Sequence, residues 1–248
     1  MRFCSKDNLS KLFENIAQSA TLYIPVDLEK GRVAYKRYAD GMVMSDALKT
    51  DRSAKDFFFP QTENLMEFKT EGKNIEIIDI RSEKEDFVIF GVRGCDVRSF
   101  DILDRVFLVE PIDSFYKARR EHGIIISVAC GRPSETCFCG AFGIDASNPA
   151  GDVTVWRTKE AVYWQSNTDK GEELLKKVEG LTDCDEATVE EEKAKIKKIM
   201  DKLPLANLST ENFGAGKTME LFDSDKWKDL SESCLGCGTC TFVCPTCQ

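Results

Sequence analysis

Gly123-Ile124-Ile125-Ile126-Ser127-Val128-Ala129 is a nearly unbroken apolar run. Its length and its β-branched residues predict a strand covered on both faces rather than a helix. Upstream, Phe87-Val88-Ile89-Phe90-Gly91-Val92 has the same character. Between the two, Val97, Phe100, Leu103, Val106 and Phe107 recur at helical spacing behind Asp96, the predicted cap, and residues 113–121 predict a second short helix. Residues 75–80 form a third apolar strand candidate. Apolar strands alternating with helices predict an α/β domain on a mixed or mostly parallel sheet.

Working outward, Leu9, Leu12, Phe13 and Ile16 predict an amphipathic helix capped by Ser5 or Asp7. Residues 21–26 and 32–38 predict strands around a turn at Lys30-Gly31. The patch Phe57-Phe58-Phe59-Pro60 reads as the core anchor of a loop, with a docking surface as the alternative. Further on, residues 152–156 and 161–165 predict a hairpin, and residues 171–178 a helix. Thr188-x-x-Glu191 predicts a capping box opening a helix with Val189, Ile196, Ile199, Met200 and Leu203 on one stripe. Residues 206–223 lack periodicity and read as a linker. Their Gly214-Ala215-Gly216-Lys217 has the wrong spacing for a phosphate loop and follows no strand.

The chemistry sits in the cysteines. Cys234-x-x-Cys237-x-x-Cys240-x-x-x-Cys244-Pro245 has the spacing of a ferredoxin iron–sulfur run, suited to a [4Fe-4S] cubane. Gly236, Gly238 and Thr239 let backbone N–H groups approach the cluster. In two-cluster ferredoxins the fourth cysteine of such a run serves the other cluster. A second run is therefore expected beyond Gln248, Cys247 is a spare thiol, and the tail reads as the truncated start of a ferredoxin-like module.

A second constellation follows the two central strands. Cys95 stands just after Phe87–Val92, and Cys130, Cys137 and Cys139 follow residues 123–129. Loops at the carboxyl ends of strands in an open α/β sheet gather ligands, most often at a topological switch point. Four thiols there suffice for one more cluster or for a zinc ion. Arg93 and Arg132 could balance the negative charge, and Gly94, Gly131 and Gly140 would permit close approach. Cys4 and Cys184 read as core packing.

Bulk properties narrow the function classes. The 248-residue chain has 11 cysteines, one histidine and a net charge of −9. The acidic balance disfavours nucleic acid, and there is no apolar run of membrane-span length and no signal-peptide pattern. The clustered cysteines read as reduced metal ligands rather than a disulfide framework. The single histidine, His122, reads as structural or surface, so no hydrolytic triad is available. No Gly-x-Gly-x-x-Gly follows a strand. No catalytic residue is assigned. An electron carrier is the resulting expectation, against a zinc-stabilised structural or assembly module, or an enzyme with an open-site cluster.

Gly91-Val92-Arg93-Gly94-Cys95-Asp96, Thr136-Cys137-Phe138-Cys139, Phe59-Pro60-Gln61-Thr62-Glu63 and the tail from Cys234 to Cys247 together resemble the iron–sulfur beta subunits of soluble nickel–iron sulfhydrogenases. The same protein type is similar to the A subunit of anaerobic sulfite reductase and to electron-transfer subunits of heterodisulfide reductases. The resemblance spans roughly residues 55 to 248. It implies a cytoplasmic, anaerobic electron-transfer subunit beside a flavin-containing subunit that oxidises NAD(P)H, passing electrons through [4Fe-4S] clusters to a catalytic oxidoreductase partner. By position, Cys234, Cys237, Cys240 and Cys244 resemble the ferredoxin-type ligands, and Cys95, Cys130, Cys137 and Cys139 would hold an extra cluster. The expected organisation is an α/β domain over 1–205, a linker over 206–230 and the start of a ferredoxin-like module over 231–248.

Overall fold

The computed structural model describes residues 1–81, 85–214 and 216–247. Ala215 of the glycine-rich tetrapeptide and Gln248 lie outside them. The elements in chain order are β1 (Arg2–Ser5), α1 (Leu9–Ser19), β2 (Thr21–Asp27), β3 (Val33–Arg37), β4 (Glu67–Glu71), β5 (Asn74–Ile78), β6 (Phe87–Val92), α2 (Gly94–Phe107), α3 (Ser114–His122), β7 (Gly123–Val128), β8 (Val153–Arg157), β9 (Ala161–Ser166), α4 (Asp169–Lys177), β10 (Thr182–Asp183), α5 (Ala187–Met200), α6 (Lys226–Ser231) and α7 (Thr239–Val243).

The main sheet has eight strands in the order β10-β1-β9-β8-β7-β6-β2-β3. Its centre is parallel: β2 pairs with β6, β6 with β7 and β7 with β8. The flanking pairs are antiparallel. This is the mixed α/β sheet that the apolar runs predict. Every residue of β7 from Ile125 to Val128 is buried, because helices cover both faces. On one face, Phe90, Ile126, Val155 and Trp164 pack with Leu12, Phe13 and Ile16 of α1 and Leu174 and Leu175 of α4. On the other, Ile89, Val92 and Ile125 pack with Val97, Phe100 and Leu103 of α2, Tyr116 of α3 and Phe58. Trp156 meets Val189 and Ile196 of α5. Burying so much apolar surface on two faces is the main stabilising contribution.

Two glycines shape the central strands, Gly91 at the carboxyl end of β6 and Gly123 at the amino end of β7. Gly91 has φ +92° where the β6–β7 register shifts, and a Cβ there would meet Pro25 Cγ at 3.1 Å. The irregularity turns the end of β6 before the loop to Cys95. At Gly123 a Cβ would lie 2.4 Å from Phe58 Cε1, so the ring needs a bare backbone at the start of β7. The aromatic patch is thereby the core anchor that its composition suggests: Phe58 is fully buried and lies against Phe87 and Phe100.

Several expectations are corrected. Residues 75–80 do not join the main sheet; β5 pairs only with β4 in a separate hairpin, turning at Gly72 (φ +61°). Phe68, Ile75 and Ile77 stay exposed there, since charged residues alternate with them and no second layer covers them. Asp96 lies in the first turn of α2, and Arg93 precedes the helix instead. Val106 is exposed because it falls off the α2 stripe that faces the sheet. Neither Ser5 nor Asp7 caps α1; Asn8 stands at that position without a side-chain bond. Thr188 lies inside α5, so the capping box does not form, and Ile199 is exposed. Asp113 does cap α3, its Oδ1 accepting from the N–H groups of Phe115 and Tyr116 at 2.9 Å. His122 ends α3 and pairs with Asp86 at 2.8 Å.

Candidate functional site

The first cysteine group is built at the carboxyl ends of β6 and β7. The expected switch point is not there: strand order runs in one direction from β2 through β6 and β7 to β8. The two loops meet because their strands are neighbours, leaving side by side in parallel. Cys95 sits in the first turn of α2. Cys130 follows β7, with its N–H bonded to Ala146 O at 2.8 Å. Cys137 closes a turn on Ser134, its N–H donating to Ser134 O at 3.0 Å, and Cys139 opens the short 3-10 turn Cys139–Phe142.

Cys130 and Cys139 pack against the same small core cluster, and Cys95 leaves the neighbouring strand at the same end of the sheet. Crowding by surrounding atoms, then Asp96, Cys139 and Cys130, pushes the Cys95 thiol up to about 12, although part of its surface still meets solvent. Burial raises Cys130, and so does Cys137, while Arg93 opposes the rise. Burial raises Cys139 too, followed by Cys137 and Cys130. As free thiols these groups hold their protons; a bound cation would reverse that, because a ligated thiol is deprotonated. The Cys137 sulfur already accepts from the Ser134 N–H at 3.3 Å, the kind of bond that stabilises a ligated thiolate. Among the described residues, no three His, Cys, Asp or Glu side chains converge on the position of a single metal ion. A cubane asks for something else: each cysteine binds a different iron, so the sulfurs stand farther apart than around one ion.

Residues that sequence reasoning passed over border this group. Residues 46–49 form a strap beside it. Arg93 donates to Ala47 O and Leu48 O at 3.2 and 3.3 Å, Arg132 to Asp46 O at 3.0 Å, and Lys49 to Ser134 Oγ at 3.4 Å. Arg157 at the end of β8 pairs with the Asp46 carboxylate, which holds Asp46 below its ordinary value. The two arginines expected to balance charge are therefore also the hooks of a strap. Asp96 is pushed up to about 6 by burial, which Arg93 only partly offsets. Gly94 is held close, a Cβ there meeting Pro149 Cβ at 3.1 Å, whereas Gly140 faces open space.

The terminal group is exposed. Cys234, Cys237 and Cys240 lie at the surface, and Cys244 and Cys247 are half-buried. Gly236 and Gly238 both have positive φ, +66° and +72°, consistent with the tight loop the spacing predicts. The Gly236 N–H donates to the Cys234 sulfur at 3.4 Å, and Cys237 bonds the Thr239 hydroxyl at 3.2 Å. That hydroxyl and the Thr239 N–H lower Cys237. Cys244 is brought down to about 7: burial works against this, but Thr246 and Cys247 outweigh it. Cys247 is raised by its bond to Cys244 and by the nearby charges of Cys244 and Cys240. Cys247, the thiol that looked spare by spacing, is thus hydrogen-bonded to Cys244.

Among the described residues no helix is long and apolar enough to cross a membrane. No protein-family model matches the chain, and neither does a solved structure. The chain is 34% identical over 164 residues to sulfhydrogenase 2 subunit beta of Pyrococcus furiosus, a match covering 65% of this chain and 48% of that subunit. The chain thus spans about half the length of the curated relative it matches. The resemblance carried by the cysteine loops is matched by this similarity: the chain is related in sequence to the beta subunit of sulfhydrogenase.

Proposed function

We propose that the chain is an electron-transfer subunit of a multisubunit oxidoreductase, with two groups of cysteines each holding a [4Fe-4S] cluster. The observation that carries this reading is that the loop after β6, with Cys95, and the loop after β7, with Cys130, Cys137 and Cys139, leave neighbouring parallel strands at the same end of the sheet. Isolated core cysteines would not collect there. The donor set fits: four thiols, a backbone N–H on the Cys137 sulfur, and Arg93 beside Cys130. Cys234, Cys237, Cys240 and Cys244 would hold the second cluster, in a ferredoxin-like module over 231–248 that follows the α/β domain of 1–205 and the linker of 206–230. When bound, such clusters accept and release single electrons. The residues of this chain supply ligands, donate hydrogen bonds to sulfur, and set the local charge.

The similarity to a sulfhydrogenase subunit supports a place in a complex. In this reading a flavin-containing, NAD(P)H-oxidising subunit delivers electrons and a catalytic oxidoreductase subunit takes them, in an anaerobic cytoplasm. The test is iron, sulfide and zinc content after strictly anaerobic isolation, for the wild type and Cys137→Ser. About eight irons per chain, falling to about four in the variant, are expected for two cubanes. Zinc in place of iron would end the electron-transfer reading. About four irons unaffected by the substitution would reduce Cys95, Cys130, Cys137 and Cys139 to packing.

A further inference from the structure

Lys55 is 7% exposed, an unusual place for an ammonium group. It lies in the 3-10 turn Ala54–Phe57, entered through Ser53, whose hydroxyl accepts the Lys55 N–H at 3.1 Å. Its Nζ reaches across the chain to the terminal cysteine run. It donates to Cys244 O at 2.8 Å, Cys247 O at 3.1 Å and Phe242 O at 3.4 Å. An ammonium has three donors, and here all three have acceptors. The acceptors include Phe242 in the last turn of α7, where free carbonyls favour a cation. Next to this contact, the Arg52 guanidinium lies 4.7 Å from the centre of the Phe242 ring. One short segment of the α/β domain therefore grips the tail by two cations.

The same segment borders the other cysteine group. Phe57 packs edge-on against Tyr35 with ring centroids 5.7 Å apart. Tyr35 lies within electrostatic reach of Asp96, Arg93 and Cys95. The turn that holds Cys244 and Cys247 thus packs, through Phe57 and Tyr35, against the cluster that includes Val97 of α2, the helix that carries Cys95 in its first turn.

We propose that Lys55 is a positioning residue that docks the terminal cysteine run against the α/β domain, placing its Cys244 end across the Phe57–Tyr35 contact from Cys95. The proposal rests on the two-cluster reading for its electronic consequence but not for the docking itself. A buried positive charge beside Cys244 favours the more negative, reduced state of a cluster ligated there, and so raises its potential.

The test has an iron-free and an iron-loaded arm. In the iron-free chain, Lys55→Met is expected to speed hydrogen exchange of residues 239–247 by about tenfold or more, with β6 and β7 unchanged. In the iron-loaded chain, the same variant is expected to lower the midpoint potential of the cluster that is lost in Cys244→Ser, and to leave the other unmoved. Equal exchange in variant and wild type overturns the docking. A loosened tail with an unmoved potential overturns the positioning role and leaves Lys55 a structural tether. If the wild type binds no iron that depends on Cys244 while exchange still responds to Lys55, the docking stands and the terminal-cluster reading fails. Should Lys55→Met disturb the whole fold, Lys55→Gln removes the charge while keeping most of the stem and a polar end, and is read by the same exchange; an unresponsive tail there also overturns the docking.

Discussion

At the scale of single residues, the site end of the sheet holds charge at a cost. Asp96 has an ordinary value of 3.8 and is raised to about 6 by burial, with Arg93 opposing. A raised carboxyl binds more protons in the folded state than in the unfolded chain between these two values. Stability of the iron-free chain contributed by this group is therefore present below about pH 4 and is lost as pH rises through 6. Asp96→Asn should remove that slope and stabilise the iron-free chain at pH 7 by about 1 to 3 kcal/mol. Urea unfolding midpoints of both proteins from pH 4 to pH 8 would show it; parallel profiles would contradict the buried-carboxylate argument. The cysteines illustrate a different limit on reading residues. Spacing announces the terminal run by itself, because four cysteines within eleven positions need no fold to bring them together. Cys95 lies 35 positions before Cys130, and only the pairing of β6 with β7 makes them neighbours.

At the scale of elements, the joints are tight where helices cross strands. Thr168 caps α4 by accepting the Gly171 N–H at 3.2 Å. A Cβ on Gly171 would stand 2.1 Å from the Asp152 carbonyl oxygen. That oxygen belongs to backbone and cannot swing aside, since Asp152 is held by its own N–H to Ile125 O and by its carboxylate to the Ile125 N–H, both at 2.8 Å. Gly171→Ala should cost about 2 to 3 kcal/mol. Gly140→Ala, which meets nothing within 4 Å, should leave thermal unfolding nearly unchanged. Equal melting temperatures for the two variants would refute the close-approach argument. Elements with one strong period were legible: the stripe of α1 and the double-sided burial of β6 and β7 follow from composition. The β4–β5 hairpin was not, because a short apolar run has the same local pattern whether or not a second layer covers it. β1 and β10 were missed for a related reason: their few residues carry little periodic signal, and pairing defines them, β1 with β9 and β10 with β1.

At the scale of the whole molecule, the eight-stranded sheet and its two helical layers stand apart from the tail in their energetics. The core clusters draw nothing from beyond Met200. The residues after 205 touch the α/β domain through Lys55 and Arg52 and through Phe213, whose ring centroid lies 6.1 Å from that of Phe142. A chain ending at residue 205 should therefore keep its far-ultraviolet circular dichroism per residue of sheet and melt within a few degrees of the full chain, about 1 kcal/mol of stability or less. Loss of cooperative melting would show that the tail belongs to the same folding unit. The truncated chain would also carry Lys55 without its acceptors, free to turn into water, so its loss of partners need not be costly.

The amino-acid sequence by itself determined the class of fold and the grouping of the cysteines along the chain. Four cysteines at ferredoxin spacing, a nearly continuous apolar run at 123–129 and the scarcity of histidine are local facts, and local facts are readable because neighbours in the chain are neighbours in space. The tertiary structure alone decided which distant groups meet. It joined Cys95 to the 130–139 loop through adjacent parallel strands, turned Arg93 and Arg132 into hooks for residues 46–49, and set the Lys55 ammonium under the carbonyls of Cys244 and Cys247. Nothing in the vicinity of Lys55 in the sequence marks it, since a lysine beside aromatic residues is ordinarily a surface group with its stem against the core. Only the return of the chain after nearly two hundred residues gives that charge its partners.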